Sequence, residues 1–307
     1  MLIVKIYYRI KSKIKISERI KRRVFKYSQE FDIPGAMNLN WNPIYIFRNN
    51  YPKFQDDLKK FKTDLVSEIR SGKSVSYLKF GDGDYFFLTG KPVGSAAPGK
   101  RAISRELTPN ELSIYLANSK KANKYLCEID MQNRRYFKEI FGSIDPIPAE
   151  IVYGLTANHW LTKLPFKIGI IGADKKLEII KQLMEYQEYR DYLGLERFTD
   201  YIQIPQKFAC DDLNLRLFEL KEQIMNSEAE IFLIGVGHLK SGILSEITNM
   251  KDAVYLDIGS GIDALAGLID GKRPYFGSWV NHRVRNIELY NDVDLLQYES
   301  NKTYYLD

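Results

Sequence analysis

Two aspartates, Asp82 and Asp84, stand one glycine apart in the stretch KFGDGD at residues 79–84. Two carboxylates that close repel each other unless a cation lies between them. Mg²⁺ and Mn²⁺ prefer hard oxygen ligands. They need only a few from the protein, because water and substrate phosphates complete their coordination shells. The spacing therefore predicts a divalent cation held by both acids. The alternative is a plain turn, because glycine and aspartate runs are common turn signals.

A glycine-rich turn, IGVGHLK at residues 234–240, follows an apolar run and precedes a helical pattern. Such a turn exposes backbone N–H groups at a helix N-terminus, where a phosphate or carboxylate is favoured by the helix dipole. His238 and Lys240 would add donors. The alternative is structural: Gly235 and Gly237 would only allow the strand to pack closely on the helix, and His238 would cap that helix.

A third segment, LDIGSGID at residues 256–263, again ends an apolar run with an acid and glycines. By itself it resembles the first motif of the S-adenosylmethionine-dependent methyltransferases, whose glycine loop holds the cofactor. In that family the motif opens the nucleotide-binding half and most of the sheet follows it. Here only about fifty residues follow Asp257, and those after Gly271 lack the alternation of strands and helices that a parallel sheet requires.

Taken together, the three segments resemble the GT-D type glycosyltransferases, a bacterial family first catalogued as a domain of unknown function. Some members glucosylate glycans on surface adhesins. The family typically carries RFGDGE after its first strand, a glycine-rich strand–helix turn near the C-terminal part, and DIGxxxDxxAG one βα unit later. The counterparts here are KFGDGD at 79–84, IGVG at 234–237 and DIGSGIDALAG at 257–267, within a resemblance that covers about residues 55–275.

The resemblance implies a metal-dependent enzyme that uses a nucleotide-diphosphate sugar, with a UDP-sugar as the expected donor and Mn²⁺ or Mg²⁺ as the cofactor. A glycan, a glycoprotein or a lipid-linked saccharide would be the acceptor. Asp82 and Asp84 would contact the ion, although Asp84 replaces the family's glutamate and Lys79 replaces its arginine. Two other functions stay open: a methyltransferase, and a non-catalytic module that binds nucleotide sugars.

In glycosyl transfer a nucleoside diphosphate leaves, and the ion with Lys79, His238 or Lys240 would stabilise its developing charge. The base that deprotonates the acceptor is not identified by the sequence. His238, Asp257 and His282 are candidates by position only, and His282 stands among arginines that suit a phosphorylated ligand. The predicted catalytic residues are Asp82, Asp84, His238 and Asp257, and the predicted nucleotide-sugar-binding residues are Lys79, Gly81, Gly83, Gly235, Gly237, Lys240, Gly259, Ser260 and His282.

Short apolar runs alternate with helical patterns of ten or more residues, which predicts an α/β fold. The sheet is expected to be Rossmann-like and mostly parallel, with helices on both faces. Ligands collect at the carboxyl ends of the strands in such sheets, which is where the three segments lie. Helices are predicted over 54–71, 109–126, 133–141, 175–189, 211–226 and 239–250, and strands over 74–80, 151–153, 166–171, 201–204, 231–235 and 253–258.

The net charge of +6 is concentrated at the beginning of the sequence, because residues 1–30 hold ten Lys and Arg against Glu18 and Glu30. Isoleucines recur there at three- and four-residue steps, which predicts a basic amphipathic helix. The helix either contacts an anionic membrane surface or packs on the domain. We expect three parts: this helix with a linker over 1–50, the catalytic domain over 51–285, and a tail over 286–307.

The composition excludes several classes. A hydrophobic fraction of 45% with 27% charged residues is ordinary for a globular protein and argues against disorder. The excess of positive charge is confined to residues 1–30, and residues 31–307 carry slightly more acids than bases, so we expect no nucleic-acid partner. Cys127 and Cys210 are far apart and form neither a zinc motif nor a disulfide framework. Without a signal peptide or spanning segment, a cytoplasmic location is expected, with contact at the inner face of the membrane. The oligomeric state is left open.

Overall fold

Seven parallel strands form one sheet in the computed structural model, which describes residues 54–91, 107–129, 131–157, 159–268 and 282–284. The predicted basic helix, its linker and the C-terminal tail lie outside the described residues, as do Arg273 and Arg285, two of the arginines near His282 in the sequence. The strands are β1 (Val75–Phe80), β2 (Lys124–Cys127), β3 (Ile147–Pro148), β4 (Ile168–Ala173), β5 (Asp200–Ile204), β6 (Ile231–Gly235) and β7 (Val254–Asp257). Their order across the sheet is β3-β2-β1-β7-β6-β4-β5.

Ten α-helices are described, and they cover both faces of the sheet. Their bounds are α1 (Phe54–Ser71), α2 (Asp82–Leu88), α3 (Pro109–Ser119), α4 (Met131–Phe141), α5 (Ala149–Ala157), α6 (Asp174–Leu183), α7 (Gln187–Leu193), α8 (Leu213–Asn226), α9 (Lys240–Ile247) and α10 (Gly261–Leu265). A 3₁₀ turn, Gly237–Leu239, precedes α9. The prediction of a Rossmann-like parallel sheet between two helix layers is therefore confirmed.

The sheet is apolar on both faces. Its strands are apolar at successive positions, and successive side chains of a strand point to opposite sides of the sheet. In β6, Leu233 faces the core built with α1, α5, α6, α7 and α10, whereas Phe232 and Ile234 face the core built with α2, α3, α4, α8 and α9. Both cores consist of side chains with almost no exposure to solvent. The sheet is thus held rigidly, and so are the loops that leave its edge.

The centre of the sheet joins the first and the last of the described strands. Strand β1 pairs with β2 on one side and with β7 on the other, and β7 pairs with β6. The chain runs from β1 outward to β2 and β3, and later returns through β6 to β7. Ligands bind outside the carboxyl ends of the strands where the strand order reverses in this way. The loops after β1, β6 and β7 meet at that point.

Several sequence-based element predictions are wrong. Residues 151–153 belong to α5 and not to a strand; every residue of this helix is buried, and a short apolar run does not distinguish a buried helix from a strand. The helix predicted over 109–126 ends at Ser119, and β2 follows it. The predicted helix over 175–189 is two helices, α6 and α7, and the short strand β3 was not predicted.

The Gly/Asp segment after β1 is also not a plain turn. Gly81 is the N-cap of α2, and Asp84, three residues on, accepts a hydrogen bond from the Gly81 N–H at 2.9 Å. An acid at this position closes the first turn in the way of a capping box and is favoured by the helix dipole.

None of the helices in the described part of the chain combines the length and the apolar composition that a membrane-spanning helix needs.

Candidate active site

Four charged or ionisable side chains meet at the carboxyl ends of β1, β6 and β7, and we name them the central cluster: Asp84, His238, Lys240 and Asp257. The Asp84 carboxylate contacts His238 Nδ1 through Oδ1 at 3.2 Å and Lys240 Nζ through Oδ2 at 3.1 Å. Lys240 Nζ also lies 3.1 Å from Asp257 Oδ2. One ammonium group therefore bridges two carboxylates that are far apart in the sequence.

The bridge is buried. The side chain of Lys240 is 6% exposed, that of Asp84 8% and that of Asp257 1%. Asp257 is further fixed by the backbone N–H groups of Lys79, at 3.1 Å, and of Gly259, at 2.9 Å. Buried charges are tolerated when they are paired and hydrogen-bonded. These three charges meet that condition.

Charge neighbours control ionisation in the central cluster. Burial alone would raise the pKa of Asp84, but the charges of Lys240, His238 and Lys79 and the His238 hydrogen bond together hold it well below its usual range. Burial works to lower the pKa of Lys240, and the carboxylates of Asp257 and Asp84 overcome this and raise it. Asp84 is consequently a carboxylate, and Lys240 an ammonium ion, at neutral pH.

Asp82 lies in a different environment from Asp84. It is exposed, and its Oδ1 accepts a hydrogen bond from the Gly83 N–H at 2.7 Å. Positions i and i+2 of a helix do not face each other, so the first turn of α2 separates the two acids. The structure brings Asp84 to the central cluster and leaves Asp82 at its exposed border.

This donor set does not fit an ion shared by the two acids. Both oxygens of Asp84 are occupied by His238, Lys240 and the Gly81 N–H. The described residues also contain no group of three or more His, Cys, Asp or Glu side chains arranged to hold a metal ion. Binding of Mn²⁺ or Mg²⁺ stays a sequence-based prediction.

His238 is the most accessible side chain of the central cluster, with 27% exposure. Its ring stacks on Phe87, with 4.7 Å between the ring centroids and 6° between the planes. A Cβ at Gly83 would lie 3.3 Å from His238 Cε1, so the glycine gives the ring its room. His238 does not cap α9 through its side chain, since that helix has no side-chain cap.

Lys79 lies beside the central cluster and is half-buried. Its Nζ lies 5.3 Å from the ring centroid of Tyr153 and makes no ion pair within the described part of the chain. The Tyr153 hydroxyl donates to Glu128 Oε1 at 3.3 Å. Sequence analysis did not predict Tyr153 or Glu128, because β2 was assigned to a helix and α5 to a strand. The position of Glu128 directly after β2 would have indicated it.

The predicted glycines and Ser260 have different structural roles. Gly237 and Gly259 have positive φ values, 59° and 53°, which the turns after β6 and β7 require. At Gly235 a Cβ would lie 2.5 Å from Ile262, which matches the packing alternative. Gly81 is the N-cap of α2, and Ser260 precedes α10 without capping it through its side chain.

His282 lies apart from these residues. It stacks on Tyr192 of α7, with 3.8 Å between the ring centroids, and Tyr192 is also in edge contact with His159. We name His159, Tyr189, Tyr192 and His282 the aromatic cluster. Its described contacts lie on the face of the sheet that carries α7, and none of them joins it to the central cluster.

Comparisons with known proteins add little to this geometry. No protein-family model matches the sequence, and no curated protein matches it. One solved structure that aligns with the chain is described as a new glycosyltransferase (DUF1792) from Streptococcus sanguinis. The alignment covers 80% of this chain and 92% of that chain, with 12% identity and a TM-score of 0.44. At this similarity, function has to be inferred from the side chains.

Proposed function

We propose that the protein is a glycosyltransferase that moves a sugar from a nucleotide-diphosphate sugar, expected to be a UDP-sugar, to a glycan, glycoprotein or lipid-linked acceptor. One observation carries the proposal: the three segments that resemble GT-D type enzymes meet in the central cluster. Asp84 comes from the first segment, His238 and Lys240 from the second, and Asp257 from the third. They meet where open α/β sheets bind nucleotides.

The departing diphosphate needs positive charge at the carboxyl edge of the sheet. Lys79 meets this requirement, because the residue is half-buried and its ammonium group contacts a ring rather than a carboxylate within the described residues. A phosphate next to Lys79 would gain an ion pair without breaking an existing one. The sequence predicted that Lys240 would stabilise the charge of the leaving diphosphate. Its ammonium group instead contacts the carboxylates of Asp84 and Asp257.

The membrane part of the proposal concerns residues 1–30, whose excess of Lys and Arg suits an anionic surface. Peripheral contact there, on the cytoplasmic side, would bring the enzyme to a lipid-linked or membrane-attached acceptor. This contact needs no spanning segment.

A methyltransferase is less well supported. Both carboxylate oxygens of Asp257 are engaged by protein donors, and the residue is fully buried. The acid of the LDIGSG segment is therefore not open to a cofactor. The segment also follows the last described strand, so no further part of the described sheet comes after it.

Thermal shift with sugar nucleotides tests the proposal. A UDP-sugar at about 100 times its Kd should stabilise the protein by about 2.7 kcal/mol, and S-adenosylmethionine should not. Lys79→Met should abolish the shift, and Lys79→Arg should keep it because a cation remains. Lys73→Met is the matched control, since Lys73 is exposed before the opposite end of β1.

Release of UDP in the presence of an acceptor then separates an enzyme from a binding module. Binding with no sugar release on any glycan acceptor would favour the non-catalytic module. A shift with S-adenosylmethionine alone would contradict the proposal.

A further inference from the structure

We infer that His238 is the catalytic base that takes the proton of the acceptor hydroxyl, with Asp84 and Lys240 as its positioning residues. This inference rests on the proposed glycosyl transfer. The base is the part of the reaction that the sequence left open among His238, Asp257 and His282. The structure separates these three candidates by their surroundings.

Asp257 and His282 are poorly placed for this role. Asp257 is fully buried, and its oxygens accept two backbone N–H groups and contact Lys240. His282 stacks on Tyr192 in the aromatic cluster, and none of its described ring contacts is with the central cluster. His238 is part of the central cluster and is also partly open to solvent.

The imidazole of His238 is fixed by two contacts and lies beside a glycine. Phe87 stacks on one face, Gly83 leaves room beside Cε1, and Asp84 Oδ1 lies 3.2 Å from Nδ1. A base works best when its ring is held in one orientation before the substrate arrives. The contacts therefore give His238 a single preferred ring position.

Asp84 also determines which nitrogen carries the proton. An ionised carboxylate only accepts hydrogen bonds, so Nδ1 must be the donor in this pair. The lone pair of the neutral ring is then on Nε2, which makes no hydrogen bond within the described residues. A histidine oriented by a carboxylate through one nitrogen and open at the other has the arrangement of a general base.

Lys240 explains how Asp84 is held. Its ammonium group contacts Asp84 Oδ2, which leaves Oδ1 for His238. The same ammonium group contacts Asp257, so the base is tied to the end of β7 as well as to α2. In this arrangement Asp84 serves His238 and not a metal ion, in contrast to the sequence-based prediction.

The step balances as a single displacement. The acceptor oxygen forms a bond to the anomeric carbon while its proton moves to Nε2 of His238. The bond from that carbon to the β-phosphate oxygen breaks, and the electron pair leaves with the nucleoside diphosphate. The imidazolium ion later returns its proton to solvent. A single displacement inverts the anomeric carbon.

Turnover by wild type and three variants tests the inference. His238→Ala should lower kcat by about 10²- to 10⁴-fold and keep the thermal shift with the donor. Added imidazole should restore part of the His238→Ala activity. His238→Asn keeps a hydrogen-bond donor for Asp84 and replaces the alanine variant in the kcat measurement if that variant is unstable. Asp84→Asn should lower kcat similarly without rescue by imidazole, because the ring is present but carries its proton on the wrong nitrogen.

A histidine of the aromatic cluster provides the matched control. His159→Asn suits the positive φ of 63° at this position and should leave kcat unchanged. Full activity of His238→Ala, or retention of configuration in the product, would overturn the inference while glycosyl transfer itself stood. Mn²⁺ alone should give the same melting temperature shift in wild type and in Asp84→Asn. A shift confined to wild type would return Asp84 to a metal role and overturn the inference as well.

Discussion

The described residues place their histidines in two contrasting environments. In the central cluster, His238 faces the ionised carboxylate of Asp84 and is partly exposed. In the aromatic cluster, His159 and His282 pack against Tyr192. Burial, with the nearby charge of Lys163 and His282, lowers the pKa of His159 to about 4, and burial lowers the pKa of His282. The same residue type is therefore fixed by charge in one cluster and by apolar packing in the other.

The difference shows how the environment assigns a role. A carboxylate partner favours a defined tautomer and a reactive nitrogen, whereas burial among rings favours an uncharged histidine that contributes to packing. The two clusters should therefore differ in how much their stability depends on charge, and should lose stability in different ranges of acid pH.

Removal of the buried ammonium should have the largest effect on stability. Lys240→Met leaves Asp84 and Asp257 as neighbouring buried carboxylates, with no bridging cation between them. We expect a loss of about 3–5 kcal/mol in the free energy of unfolding, measured by urea denaturation. A loss below about 1 kcal/mol would show that the bridge does not hold the central cluster together.

Lys163→Met is the control for that experiment in the aromatic cluster. Lys163 is exposed, and its charge works against protonation of His159. Its removal should change stability by no more than about 0.5 kcal/mol.

The response to acid should distinguish the two clusters next. His159 binds a proton near pH 6.5 when unfolded but only near pH 4 when folded. Since the folded pKa is depressed, its contribution is complete above pH 6.5 and is lost as the pH falls toward 4. The contribution is on the order of 3 kcal/mol. The free energy of unfolding, measured from pH 7 to 4, should fall less in His159→Asn than in wild type.

Asp84 should respond in a lower window. Its folded pKa lies below its usual range, so its contribution is present above about pH 4 and is lost only below that pH. If both clusters lost stability over the same interval, the contrast between them would be wrong.

A smaller effect is expected at Gly83. The Cβ of Gly83→Ala would lie 3.3 Å from His238 Cε1, so the ring must shift by a few tenths of an ångström. Alanine also favours the helix by roughly 0.5–1 kcal/mol. We expect an equal or slightly higher melting temperature together with a several-fold lower kcat. Unchanged kcat would mean that the position of the ring is not critical.

The sequence predicts β4, β6 and β7 well, because all three are short apolar runs, and β6 and β7 end in a glycine and an acid. It predicts the edge of the sheet poorly. Strand β2 has only four residues and β3 only two, and α5 is buried throughout, so their patterns carry no clear period.

The sequence predicted which residues belong to the candidate site better than it predicted how they are arranged. The three loops indicated Asp84, His238, Lys240 and Asp257, and all four meet. The sequence did not show that KFGDGD starts a helix, which turns Asp82 away from Asp84. It also did not show that Lys240, three residues after Gly237, reaches two carboxylates that are distant in the sequence. Contacts between remote segments depend on the tertiary fold and have no local signal.

The pairing of β1 with β7 has a consequence for biosynthesis. Val75 is aligned with Val254, so the middle of the sheet cannot close until the ribosome has released a segment made long after β1. Until then the nascent chain exposes one unpaired edge of β1, and such edges invite aggregation. We therefore expect the sheet to close late in folding, and folding of this protein to benefit from chaperones.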